Sequence, residues 1–291
     1  MTATSKLAAF GNPTDRNTAL AMDARDPLAK YRDQFIIKDA DTCYLDGNSL
    51  GRTPKATIDA VNNFLQDEWA TELVDGWAHW IDQAQEAGNL LGRAALGAAE
   101  GQVLVQDTTS VNFYQACVAA IEARPGRKTV IIDASNFPTD RFILQGIAQR
   151  LGLNLITLNN DGTGGPGAVN VDSEYEIITP EILAPLLNDD VALVTLQVIH
   201  YRSGSRPDVK AITDLVRSHG GLVVWDASHA IGSIDLQFDA WGVDQDQERQ
   251  AGGGQRCQEG LLCLLGVAQV VEDAPPVVGI EDPARQPRVW P

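Results

Sequence analysis

An α/β fold, a mostly parallel sheet flanked by helices, is predicted by three features of the sequence. Short apolar, β-branched runs alternate with segments of helical period. The runs are apolar at consecutive positions rather than alternate ones, as in strands covered on both faces. Helix start and stop signals fall between them.

The elements follow in order. Residues 1–50 have weak periodicity and read as an N-terminal arm. Residues 54–69 read as a helix with Thr53 as its N-cap and Pro54 at the first helical position. The runs Val103–Val105, Thr129–Asp133, 153–158, 191–199 and Leu222–Asp226 are the expected strands, and 111–124, 140–151 and 208–219 the expected helices. In the last helix Val209, Ile212, Leu215 and Val216 recur at spacings of three and four; Pro207 and Asp208 open it, and Gly220 with Gly221 closes it. Residues 51–244 thus form one large domain. The GTGGPG stretch at 162–167 precedes no helix and reads as a surface connection rather than a phosphate loop.

From Gln245 to Pro291 the sequence contains no Lys, Ser, Thr, Asn, His, Tyr or Phe, although all seven occur upstream. Turns and caps draw on Ser, Thr and Asn, so this shift marks 245–291 as a tail foreign to the domain. It reads as the product of a shifted frame or an unspliced intron, or as a disordered low-complexity extension. With the tail outside the fold, the sheet is expected to lack its later strands and to leave an edge open.

Charge and composition exclude several classes. The 22 Lys and Arg face 39 Asp and Glu, a net charge of −17, which leaves no cationic surface to spare for nucleic acid. No run approaches the roughly 20 apolar residues of a membrane span, and the N-terminus lacks a leader pattern, so a cytoplasmic address is expected. Cys43, Cys117, Cys257 and Cys263 are irregularly spaced and read as reduced thiols. Of the histidines at 79, 200, 219 and 229 only His229 lies near a carboxylate, so no metal site is expected.

Three loops at strand ends carry candidate chemistry. Asp107, Thr108, Thr109 and Ser110 precede a helix; they form an anion cup or a plain N-cap. In the segment 135–141, Phe137 can stack on a flat ring and Pro138 stiffens the loop, while Thr139 and Asp140 add polar contacts or simply start the next helix. Asp226 ends a buried strand at the sheet edge where ligands of such folds bind. There it can pair with a pyridine nitrogen, supported by His229, or cap the following turn. A phosphate cup, a ring stacker and a pyridinium partner together favour a pyridoxal 5′-phosphate site.

The segments LDGNSLG (45–51), TSVN (109–112), NFPTDR (136–141), YRSG (201–204), WDASHA (225–230) and WGVD (241–244) resemble the kynureninases, in order, from about residue 20 to 244. The resemblance implies the large domain of a fold-type I pyridoxal phosphate enzyme. In it Thr109 and Ser110 bind the cofactor phosphate, Phe137 stacks on the ring, Pro138, Thr139 and Asp140 add contacts, Asp226 pairs with the ring nitrogen and His229 supports it. It further implies hydrolysis of L-kynurenine to anthranilate and L-alanine, or of 3-hydroxykynurenine to 3-hydroxyanthranilate, by a homodimer of tryptophan catabolism and de novo NAD biosynthesis. One departure stands out: the family's Schiff-base lysine follows the WGVD segment, whereas no lysine follows Lys210 here. Lys210 itself is expected at the opposite end of the sheet from Asp226. A truncated, non-catalytic relative that binds the cofactor weakly, or binds a full-length partner, is the competing reading.

Overall fold

The computed structural model describes residues 15–47 and 49–243 together with two short strands, 263–264 and 268–270. The chain divides into two compact units between Ala78 and His79. This boundary differs from the expected one at 50/51, so residues 51–78 fall with the N-terminal unit. Among the described residues no helix is long and apolar enough to cross a membrane.

In the N-terminal unit, α1 (Arg16–Asp23) is capped by Asp15, whose carboxylate accepts the Thr18 N–H at 3.0 Å. Helix α2 (Lys55–Asn63) runs on into a π-helical turn at Phe64–Trp69, which accounts for the expected helix to residue 69. Its cap position is held by Pro54 rather than Thr53, because the Thr53 carbonyl is turned to the Ile36 N–H at 3.0 Å. The helices α1 and α2 contain no buried residue.

The second unit begins with α3 (Gln83–Leu91), which had no counterpart among the predicted elements. Gly88 explains its close approach to the sheet: a Cβ there would lie 1.9 Å from the Val103 carbonyl oxygen. The sequence then alternates as β1 (Val103–Val105), α4 (Thr109–Glu122), β2 (Thr129–Asp133), α5 (Pro138–Leu151) and β3 (Asn154–Asn159). It continues through β4 (Val169–Asn170), α6 (Pro180–Leu183), β5 (Val191–Gln197), α7 (Val209–Ser218), β6 (Leu222–Asp226) and α8 (Phe238–Trp241), and ends in β7 (Cys263–Leu264) and β8 (Ala268–Val270). Residues 162–167 connect β3 to β4, with Gly162, Gly165 and Gly167 at positive φ and no helix following.

The sheet has the order β1-β8-β7-β6-β5-β2-β3-β4. Strands β7, β6, β5, β2, β3 and β4 are mutually parallel, and β8 is antiparallel to both of its neighbours. Two reversals restore direction, so β1 points the same way as β6. The open edge expected beside β6 is therefore covered: Trp225 and Asp226 pair with Cys263 and Leu264. Those residues and β8 belong to the stretch read as a foreign tail. The remainder of 245–291, and with it the reading of the tail's origin, lies outside the described residues.

Strands β2, β5 and β6 are buried along their whole length, as their unbroken apolar runs require. Alternation sends Ile131, Val194, Leu196, Val223 and Trp225 to one face, under α7. Val130, Ile132, Leu193, Leu222 and Val224 go to the other, under α4 and α5. On the α7 face the fully buried Trp225 donates its indole N–H to Thr213 at 3.0 Å, which satisfies the one polar atom of that side chain.

Candidate functional site

Because β1, β2, β5 and β6 point the same way, the loops after them all open at one carboxyl rim. At the β1–α4 loop, Thr108 is the N-cap and its hydroxyl accepts the Val111 N–H at 3.4 Å. Helix α4 thus starts at Thr109, two residues earlier than expected. The N–H groups of Thr109 and Ser110 sit in its first turn, where helix geometry supplies no internal acceptor. Thr109 is half-buried and Ser110 exposed.

At the β2–α5 loop, Asp133, Ser135 and Asn136 are buried, and Phe137 emerges with 38% of its surface exposed. Pro138 begins α5, and the half-buried Thr139 follows in its first turn. Asp140 returns inward to 2% exposure, and its Oδ2 has no hydrogen-bond partner. Burial, then the neighbouring Asp226 and Asp133 charges, push its carboxyl up to about 8, so it is largely protonated at neutral pH.

At the end of β6, Asp226 is buried. One carboxylate oxygen accepts the Ser228 N–H at 2.8 Å, which is the turn-capping role. The other accepts from the Gln197 amide at 3.4 Å, while Gln197 Oε1 is left without a partner. Strand alternation turns Gln197 and Asp226 to the α4/α5 face, which Asp140 also approaches. Two further unpartnered polar atoms belong to this side, Thr195 Oγ1 and Asn112 Oδ1. Tyr201, from the loop after β5, meets the Phe137 ring edge-on at 5.3 Å between centroids, and His229 lies 6.2 Å from Tyr201 and 6.4 Å from Phe137.

On the α7 face of the same rim the polar groups bind one another. Asp133 accepts from Ser135 Oγ at 2.9 Å, and Asn160 donates to Ser135 Oγ at 2.6 Å and to the Glu176 carbonyl at 2.8 Å. Burial raises the Asp133 carboxyl above its ordinary range, and the Ser135 hydrogen bond opposes that. Asp133, Glu176 and His200 line a cavity of about 20 Å³, space for one water molecule.

The structure thus brings Phe137 and His229 together in one ring cluster, and Asp140 within electrostatic reach of Asp226, with Thr109 and Ser110 on the same rim. Sequence reasoning missed Tyr201, Gln197 and His200 as members. Gln197 carried a signal, a polar residue closing an otherwise apolar strand, and Tyr201 directly follows that strand. The placement of Lys210 needs correction. It lies in the first turn of α7, which connects parallel strands β5 and β6 and so begins at the carboxyl rim, the same end as Asp226. Its ammonium is engaged by Asp214 at 2.7 Å. Lys128 enters β2 from the amino end, and Lys30, Lys38 and Lys55 belong to the N-terminal unit.

This architecture of helices on both sides of a parallel sheet, with its loops at one rim, is that of the fold-type I pyridoxal phosphate enzymes, and residues 43–245 match the class-V aminotransferase family model. The chain belongs to that family. Within it the sequence is kynureninase-like: it is 35% identical over 237 residues to the kynureninase of Pseudomonas fluorescens and 34% over 230 residues to that of Deinococcus radiodurans. These matches take in 79% and 77% of this chain, and 52% and 51% of those relatives, so the chain spans about half the length of the curated relatives it matches. The family match ends one residue after the compositional break at Asp244. Among solved structures, a C-DES variant with glycine linked to its pyridoxal phosphate superposes with a TM-score of 0.59 at 16% identity, over 82% of this chain and 58% of that one. A cysteine desulfurase from Escherichia coli gives 0.58 at 15% identity, over 84% and 57%. Both likenesses are of fold.

Proposed function

We propose that this chain carries the cofactor-binding portion of a kynureninase-type hydrolase that cleaves the Cβ–Cγ bond of L-kynurenine or its 3-hydroxy form. The observation that carries this reading is the buried, electrostatically linked pair Asp140 and Asp226 beside the Phe137, Tyr201 and His229 rings. The residues fit pyridoxal phosphate on grounds internal to the chain. Burying Asp140, Gln197, Thr195 and Asn112 with unpartnered atoms is costly unless a ligand supplies donors and acceptors.

In this reading Asp226 pairs with the pyridine nitrogen, and neutral Asp140 nearby avoids a further uncompensated negative charge. Phe137 covers the ring face and keeps water from it. The first-turn N–H groups of α4, with the Thr109 and Ser110 hydroxyls, hold the phosphate. The bound cofactor supplies an electron sink for bonds broken at the substrate's α and β carbons. We also propose, following the family resemblance, a homodimer, which light scattering on the purified chain tests, and a cytoplasmic location, which cell fractionation tests.

The absence of a lysine after Lys210 favours a second reading, a non-catalytic relative that binds the cofactor without a covalent link. One experiment separates the two. Purified chain is titrated with pyridoxal phosphate, supplied with L-kynurenine, and followed by anthranilate fluorescence, with borohydride treatment and peptide mapping in parallel. Saturable binding with anthranilate release supports the hydrolase. Saturable binding without release, and without cofactor fixed to a lysine, supports the non-catalytic relative. No binding contradicts both.

A further inference from the structure

We propose that His200, held in place by Ser203, is a positioning residue for the loop 134–140 and sets the pose of Phe137 and Asp140. The proposal deepens the cofactor reading above and rests on it for its consequence. His200 is buried, and its Nε2–H donates to the Ser135 carbonyl at 2.7 Å. A carbonyl only accepts, so this contact fixes the proton on Nε2. Both the neutral Nε2–H ring and the imidazolium keep it. Ser135 stands two residues before Phe137, and its N–H donates to Asn160 at 3.2 Å. The loop's buried entry is therefore gripped at both backbone groups of one residue.

The other ring nitrogen faces Ser203 and Glu176. Nδ1 lies 3.2 Å from the Ser203 N–H nitrogen, 3.1 Å from Ser203 Oγ and 3.2 Å from Glu176 Oε2. Glu176 reaches it because Tyr175 and Glu176 both adopt left-handed backbone, with φ of 55° and 66°. Neither is glycine, so the turn persists only where its surroundings over-determine it. Three contacts do so. Ser205 Oγ donates to the Tyr175 carbonyl at 2.9 Å, Asn160 to the Glu176 carbonyl at 2.8 Å, and Arg202 pairs with Glu176 Oε1 at 3.1 Å. Arg202 also pairs with Asp161 at the start of the glycine-rich connection, which ties that connection to the same assembly. Tyr201, next to His200 in sequence, carries the ring that meets Phe137. One short segment thus touches the 134–140 loop twice, through a backbone bond and through a ring contact.

Hydrogen exchange on the intact chain tests this without any ligand. His200→Leu removes the donor; His200→Gln keeps an N–H at a similar reach. The proposal expects amide exchange in 134–142 to speed up roughly tenfold or more in His200→Leu while β6 stays as protected as before, and His200→Gln to remain within about threefold of the parent. An unchanged loop in His200→Leu, equal loosening of loop and β6, or a Gln variant as loose as the Leu one overturns it. A second arm measures pyridoxal phosphate affinity. His200→Leu weakens binding about tenfold in the parent background and has little effect once Phe137→Ala is present, because the loop is the route of its action. Equal losses in the two backgrounds overturn the proposal. A parent chain that binds no cofactor contradicts the cofactor reading instead, and the exchange result then decides the role of His200 alone.

Discussion

The two faces of the sheet treat their polar groups differently at the same rim. Under α7, Asp133, Ser135, Asn160, Glu176 and His200 form a connected set, and the unpartnered oxygens Asp133 Oδ1 and Glu176 Oε2 belong to residues lining a water-sized cavity. Under α4 and α5, Asn112, Asp140, Thr195 and Gln197 each leave a buried atom without a partner. Apolar packing is equally continuous on both sides, so poor folding of one face does not explain the contrast. A connected network whose two spare oxygens belong to residues around a water-sized cavity holds backbone in place, whereas the buried atoms without partners on the other face mark where an external group completes the bonding.

The largest expected effect comes from breaking the unsaturated side at its charge. Asp226→Ala removes the carboxylate proposed to face the pyridine nitrogen, and a lost charged hydrogen bond of about 2–3 kcal/mol weakens pyridoxal phosphate binding on the order of 100-fold. A titration calorimeter reads this directly, and an Asp226→Ala chain with parent affinity would remove the site from this face. Next is the pH dependence of stability. The Asp140 carboxyl lies near 8 in the folded chain and near the ordinary carboxylate value when unfolded, so the folded state binds the extra proton. Stability is therefore lost as pH rises from about 4 to about 8 and levels off above that. Melting temperatures across this window should fall in the parent chain and be flatter in Asp140→Asn.

Two smaller substitutions sharpen the comparison. Ser135→Ala, in the connected network, takes the hydroxyl away from both Asp133 and Asn160 and costs about 1–3 kcal/mol in urea unfolding. Thr195→Val, on the other side, replaces an unpartnered hydroxyl by a methyl of the same shape. It should leave the cofactor-free chain unchanged or stabilise it by up to about 1 kcal/mol. Equal destabilisation by both would erase the distinction between the faces.

Much of the frame was legible in the sequence because local rules govern it. Unbroken apolar runs marked β2, β5 and β6, and Asp208 with its side chain on the Ala211 N–H marked the start of α7. The family motifs drew attention to Phe137, Asp140 and Asp226, which the fold then places at one rim. What periodicity could not carry was partnership across the chain. Arg202 meets Asp161 across 41 positions and His200 meets Ser135 across 65, and no local pattern encodes either contact. The same holds for β7 and β8. Their composition departs from the rest of the chain, yet they pair with β6 and β1, because strand pairing rests on backbone groups that every sequence possesses. Helix α3 was missed because a glycine at its contact with β1 interrupts the apolar stripe.

The central claim is that three loops of one rim converge on a single cofactor. Hydrogen exchange of the full chain with and without saturating pyridoxal phosphate tests it most directly. The account predicts that amides in residues 108–112, 135–140 and 226–229 gain protection together, at one cofactor concentration midpoint. Protection confined to one of these segments, or arising at different midpoints, would contradict it.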